Sequence, residues 1–188
     1  MLTAITKLDA INIILSAIGA DPVNTIDTEI DVDVANACRQ LDKASRDIQR
    51  KGWDFNTYHL TLASEAFSQR IPWIPTIIAH KATDGGSYAK RGDWFYDIQN
   101  QTFEFSHPIT IDAVMAVDFD DLPDSFKNYI TAKAALDFQA HYMGDTTVAQ
   151  DLAYALQEAY QEIVAYDMNM QDANMLNMTG VQPALERT

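Results

Sequence analysis

Histidine is the side chain most ready for proton or metal chemistry near neutral pH, and this chain has four: His59, His80, His107 and His141. They are widely separated. None pairs with another His or with a Glu at the spacing that sets two ligands on one helix face, so a metal-binding helix is not encoded. All four read as surface or core-edge residues. The densest carboxylate group is Asp118, Asp120 and Asp121. Asp118 with Asp121 is the pair an acid–base or cation site would be built on, but the glycine and terminal glutamate of a calcium loop are missing. Helix-entry and loop roles suit these residues better. Gly85-Gly86 has no Lys-Ser or Lys-Thr after it, as a phosphate-cradling loop requires, and no Gly-x-Ser-x-Gly elbow is present. The single cysteine, Cys38, falls in phase with Val34, Ala37 and Leu41 and reads as a buried thiol; being alone, it excludes an intrachain disulfide or a cysteine cluster. Arg91-Gly92-Asp93 sits among aromatic residues and reads as a β-turn. The expectation is a protein without catalysis, cofactor or metal.

Charge says more. The formal net charge is −14 on 188 residues, which argues against a protein whose main task is gripping phosphate. Its distribution is uneven. From Ala134 to Glu186 there is no Lys or Arg, while Asp137, Asp145, Asp151, Glu158, Glu162, Asp167, Asp172 and Glu186 fall in that stretch. Arg39, Lys43, Arg46, Arg50 and Lys51 crowd the segment before Gly52. Blocks of opposite sign meet within a fold or between subunits, or are simply solvated helix faces. Aromatic and basic residues interleave at Tyr88, Lys90, Arg91, Trp94, Phe95 and Tyr96; sheet packing and subunit contact outweigh nucleic-acid binding there, given the acidic total.

The elements that position these groups follow from periodicity. Leu8, Ile11, Leu15 and Ile18 predict a helix from Thr6 to Ile18, with Thr6 as N-cap, Asp9 three residues on and Gly19 as terminator. Val34, Ala37, Cys38, Leu41, Ala44 and Ile48 predict a second helix from Asp31 to Lys51. Between Trp53 and Asp118 the texture turns β: Tyr58, Leu60 and Leu62 alternate with polar residues, Asp84-Gly85-Gly86 is a turn, Trp94-Phe95-Tyr96 followed by Asn100-Gln101 reads as strand and hairpin, and Phe103, Phe105, Ile109, Ile111, Val114 and Val117 supply further strand. Phe126, Ile130, Ala134 and Phe138 predict a third helix that Gly144 stops. Val148, Leu152, Ala155, Ala159, Ile163 and Tyr166 predict a fourth, starting at Thr146 or Thr147. No apolar run reaches membrane-spanning length and no signal peptide is evident, so a soluble protein made in a cytoplasm is expected. The fold expected is α+β and mainly helical: a bundle of about four helices over 1–56 and 119–167, a small antiparallel β insertion over 57–118, and a flexible Met-rich tail over 168–188 ordered by a partner.

Four blocks resemble a known family. They are Ala10-Ile11-Asn12-Ile13-Ile14-Leu15-Ser16-Ala17-Ile18-Gly19 followed by Pro22-Val23-Asn24-Thr25; Gln49-Arg50-Lys51-Gly52-Trp53-Asp54-Phe55-Asn56; Lys90-Arg91-Gly92-Asp93-Trp94-Phe95-Tyr96-Asp97; and Asp118-Phe119-Asp120-Asp121-Leu122-Pro123-Asp124-Ser125-Phe126, running on to Ala132-Lys133-Ala134. In this order they resemble tail tubular protein A, the head-to-tail adaptor of short-tailed phages. The resemblance implies a virion protein of the tail forming a dodecameric ring beneath the portal protein, followed by a nozzle of tail tubular protein B, with tail fibres near that boundary. It also implies that the C-terminal tail docks on the portal, for which Met175, Met178, Val181 and Leu185 are the candidates.

Two further assignments follow from charge. Asp151, Glu158 and Glu162 are candidates for an acidic lumen wall past which DNA slides without binding. Arg39, Lys43, Arg46 and Arg50 are candidates for a subunit interface. The alternative is a nucleic-acid-binding phage protein that uses the basic second helix; it predicts salt-sensitive DNA affinity.

Overall fold

The computed structural model describes residues 4–27, 31–142 and 146–176, with side chains as far as 170. The chain forms two compact units, residues 1–48 with 118–188 and residues 49–117.

The first unit is helical: α1 (Lys7–Ser16), α2 (Val32–Gln49, whose last residue belongs to the second unit), α3 (Asp124–Tyr142) and α4 (Thr146–Leu176). The Thr6 hydroxyl accepts from the Asp9 amide, and the Asp9 carboxylate answers the Thr6 amide at 3.0 Å, a closed capping box. Asp31 starts α2 by accepting from the amides of Asp33 (2.8 Å) and Val34 (3.2 Å). The apolar stripes predicted for α2 and α3 are buried: Val34, Ala37, Cys38, Leu41, Ala44 and Ile48; Phe126, Ile130, Ala134 and Phe138. Of the stripe predicted for α1, Ile11 and Leu15 are buried and Leu8 and Ile18 half-buried, while Ile14, outside that stripe, is buried too. α3 packs on both α1 and α4. Burial pushes the Cys38 thiol up from its ordinary pKa, as suits a core residue.

α4 departs from expectation at its end. Residues 168–176, assigned by sequence to a flexible tail, continue the helix to Leu176. Gln171, Ala173, Met175 and Leu176 are good helix formers, and neither glycine nor proline interrupts the run before Gly180. Only one stripe of this helix is covered: Ala159 and Ile163 are buried, Leu152, Leu156 and Tyr166 half-buried, and most other described positions exposed.

The second unit is antiparallel. β1 (Thr57–Leu62), β5 (Ile109–Met115) and β2 (Ile77–Ala82) form a sheet in that order, and β3 (Tyr88–Arg91) with β4 (Trp94–Asp97) forms a hairpin. Ile109, Ile111 and Ala113 of β5 join Ile71, Ile77, Phe95 and Phe105 in the core, while Asp112 lies on the other face between His59 and Lys81 of its neighbours. The hairpin turn lies at Gly92 (φ +61°) and Asp93, earlier than Asn100-Gln101. The latter pair lies in a second tight turn, closed by two backbone hydrogen bonds between Asp97 and Thr102. That reversal takes Phe103 and Phe105 out of any strand, although Phe105 still fills the core.

Val117 is also outside β5, for a specific reason. The Gln49 carboxamide takes both backbone groups a neighbouring strand would have used: it donates to the Val117 carbonyl at 2.9 Å and accepts from the Val117 amide at 2.7 Å. Asn56, fully buried, donates to the carbonyls of Gln49 and Met115, each at 3.1 Å, and accepts from the Trp53 amide at 2.9 Å. Gly52 turns the chain between them at φ +76°, where a Cβ would press on the Val114 side chain at 3.1 Å.

At the far end of the unit, Asp84 accepts from the amides of Thr110 (2.8 Å) and Gly86 (2.9 Å) and from the Tyr88 hydroxyl (2.9 Å). Burial alone would raise the Asp84 carboxyl; these three donors outweigh it and hold the group below its ordinary value. Burial and the bond to Asp84 push Tyr88 up to about 12.

Replacing Gln49 by leucine, similar in volume, leaves two backbone groups of Val117 without their partners, and at roughly 1–3 kcal/mol per orphaned group the thermal midpoint should fall clearly; an unchanged midpoint removes the clamp from the stability account. Because the Asp84 pKa is lower in the folded than in the unfolded state, its contribution is full above the unfolded value and disappears as pH falls through the folded one. The stability gap between the wild type and Asp84→Asn should therefore narrow on going from neutral pH into the acid range, and a gap independent of pH would refute the assignment.

Candidate interaction surfaces

The helical unit displays two charged lines. On α2, Arg39, Lys43 and Arg46 follow one another at helical spacing and are all exposed; Arg50, just past the helix end, is exposed too. The Arg39 guanidinium is steadied by donating to Asn36 Oδ1 at 2.7 Å, and the Asn36 amide reaches the Tyr142 hydroxyl of α3. Lys7 pairs with Asp42 at 3.0 Å and Lys133 with Asp137 at 2.6 Å, and no ion pair is seen on this row among the described residues. Asp42 and Asp47 are also exposed on α2, which dilutes its surplus of positive charge.

On α4, Asp151, Glu158 and Glu162 are seven and four residues apart, a spacing that aligns them along one side of the helix, and all three are exposed. Beside that line lies an uncharged one with Gln150, Gln157, Gln161 and Tyr154, the last 70% exposed. Met175 falls in the last turns of α4, and Met178, Val181 and Leu185 lie outside the described residues.

Charge divides between the two units. Seven of the thirteen Lys and Arg and twenty of the twenty-seven Asp and Glu belong to the helical unit, a net of −13, while the β unit holds six and seven, a net of −1. Three of the β unit's cations stand over aromatic rings. Arg70 lies 5.8 Å from the Trp94 ring centre and 5.5 Å from that of Phe103, Arg91 lies 3.6 Å from that of Tyr96, and Lys90 lies 5.6 Å from that of Trp73. Tyr96 and Phe103 meet edge to face at 4.9 Å. The interleaved pattern around Lys90 and Trp94 was visible in the sequence. Arg70 and Phe103 were not, because a turn and the 71–73 segment alongside β4 bring them in from outside the hairpin. Nor did any pattern point to Phe67, fully exposed in a loop closed by the Glu65 amide bonding to the Arg70 carbonyl.

The residues weighed for chemistry have structural work instead. Asp120 accepts from the Lys7 amide at 3.0 Å and Asp124, the first residue of α3, from the Ile5 amide at 3.3 Å, so the segment entering α3 holds the start of α1. The Lys127 ammonium, buried, donates to the Asp120 carbonyl at 2.7 Å. His59 pairs with Asp112 across strands at 2.8 Å, His80 bonds to the Tyr88 carbonyl at 3.1 Å, and His107 bonds to Ser106 at 2.8 Å. His141 lies within reach of Gln40 at 3.5 Å.

Residues 8–173 match the family model of the tail tubular proteins. Tail tubular protein A of Klebsiella phage KP34 is 29% identical over 136 residues, which cover 69% of this chain and 72% of that protein. The match runs through α1 and α2, the β unit, α3 and most of α4, and with it the chain belongs to the tail tubular protein family, structural components of the phage tail.

Proposed function

We propose that this chain is the head-to-tail adaptor of a short-tailed phage, a non-enzymatic protein made in the host cytoplasm and assembled as a ring of twelve copies between portal and tail nozzle, with tail fibres attached near that boundary. The observation that carries the reading is the division of charge in a tail tubular protein. A helical unit with a net charge of −13 supplies a wall that repels phosphate, and a nearly neutral β unit is left for protein contacts. DNA then passes through the ring without being held, and neither cofactor nor metal is needed.

In this reading the exposed carboxylates Asp151, Glu158 and Glu162 of α4 face the lumen, and Arg39, Lys43, Arg46 and Arg50 contact a neighbouring copy. The portal is engaged by the C-terminal segment with Met175, Met178, Val181 and Leu185. Binding of DNA through α2 is the weaker reading, since Asp42 and Asp47 interrupt its basic face.

Reversing Glu158 and Glu162 to lysine should leave assembly intact and slow DNA ejection from the virion, because a lumen made attractive to phosphate adds friction to the passing duplex. Ejection at the wild-type rate refutes the lumen assignment. Deleting the residues after Gly180 should leave the thermal midpoint unchanged and weaken capture by the portal at least several-fold. Undiminished capture removes the docking role from that segment.

A further inference from the structure

The β3–β4 hairpin has a face on which cations stand over aromatic rings. Arg91 and Trp94 are paired across the hairpin, and Tyr96, two residues on, falls on the same side of the ribbon. Arg70 covers Trp94 and Phe103 from outside it. Two exposed guanidinium groups therefore stand on a floor of three contacting or neighbouring rings, of which Tyr96 is buried and the other two half-buried. A guanidinium stacked on a ring keeps its N–H fork free and is restricted in orientation before any partner arrives. Neither Arg70 nor Arg91 takes part in an ion pair among the described residues, so both forks are unmatched by carboxylate. This is a preorganised site for planar oxyanions.

We infer that this face, centred on Arg70 and Arg91, binds carboxylates presented by the helical unit of a second copy of the chain, an inference that rests on the ring reading above. Charge complementarity selects the occupant. The helical unit carries nearly all of the net charge of −14, and the unmatched stacked arginines lie on the unit that carries almost none of it. A ring needs two different surfaces on each subunit, joined head to tail, and a strongly acidic unit together with a local pair of arginines on a nearly neutral one provides such a pair. Nucleic acid is the less favoured occupant, because two arginines engage only a few phosphates, too small an electrostatic gain to hold a duplex.

The test is photo-crosslinking in infected cells and in purified virions, with Phe103, against Tyr96 and under Arg70 and partly exposed, replaced by p-benzoylphenylalanine. The expected adduct joins Phe103's position to residues 1–48 or 118–188 of another copy. An adduct to a different virion protein, to DNA, or to the β unit of another copy overturns the inference, as does incorporation into virions without any adduct. In parallel, Arg70→Glu/Arg91→Glu loses this face while keeping its acidic unit. It should therefore cap growing assemblies, cutting the yield of complete rings by more than about tenfold when mixed equally with wild type. Wild-type rings that form undisturbed in the presence of the folded variant overturn the role of this face alone. Wild-type chain that makes no ring on its portal overturns the reading beneath it as well.

Discussion

The β unit is inserted into a helical chain, and its geometry depends on how Gln49 and Asn56 hold the two strands of backbone where that insertion begins and ends. Gln49, 3% exposed, binds both backbone groups of Val117; Asn56 ties Gln49 to Met115. Between them Gly52 takes a left-handed conformation in which a side chain would be strained and its Cβ would press on Val114. β1 starts immediately after Asn56 and β5 ends just before this clamp, with Thr57 opposite Val114, so the same contacts fix the register of the central pair. A slip by one residue would move Ile111 to the open face and Asp112 into the core. The buried carboxamides thus help to set which face of the sheet receives Ile71, Phe95 and Phe105, the core on which the hairpin carrying Arg91 is packed.

The helical unit is held differently, by apolar stripes and by the segment entering α3, which holds the start of α1. α4 contributes little to that core for its length: 31 residues, roughly 46 Å at 1.5 Å per residue, with only a narrow stripe covered. A helix so long and so exposed is suited to contacts outside its own chain, and its aligned carboxylates make the surrounding surface strongly negative. The separation of charge between the two units gives the protein two surfaces of unlike chemistry, which a closed ring of identical subunits requires and an isolated monomer does not.

Much of this was readable from residue order. Helical spacing located all four helices to within a few residues at most ends, because their apolar stripes face a single core. Thr6 and Asp9 announced the capping box, and the alternation in Tyr58-His59-Leu60-Thr61-Leu62 announced β1. The failures share a cause. Phe103 and Phe105 have strand-forming side chains, yet the turn between Asp97 and Thr102 and long-range backbone bonds override local preference. Val117 has the same β-branched character but is satisfied by a glutamine 68 residues away. The methionines and asparagines of 168–176 have the composition of a tail, yet nothing among them breaks a helix and α4 runs on to Leu176. Of the candidate surfaces, the basic row and the acidic line followed directly from helical periodicity. The Arg70–Trp94–Phe103 cluster depended on tertiary contacts between segments that have no common period.

The central claim, that this tail tubular protein is a ring-forming adaptor, is tested most directly by measuring its mass in solution. The method is light scattering coupled to size exclusion, with and without the matching portal protein. The account predicts a stoichiometric complex of the portal with a ring of this chain, whether the free chain is monomeric or already assembled. A chain that ignores the portal and is instead retained on DNA at low salt would contradict it and make the basic face of α2 the functional site.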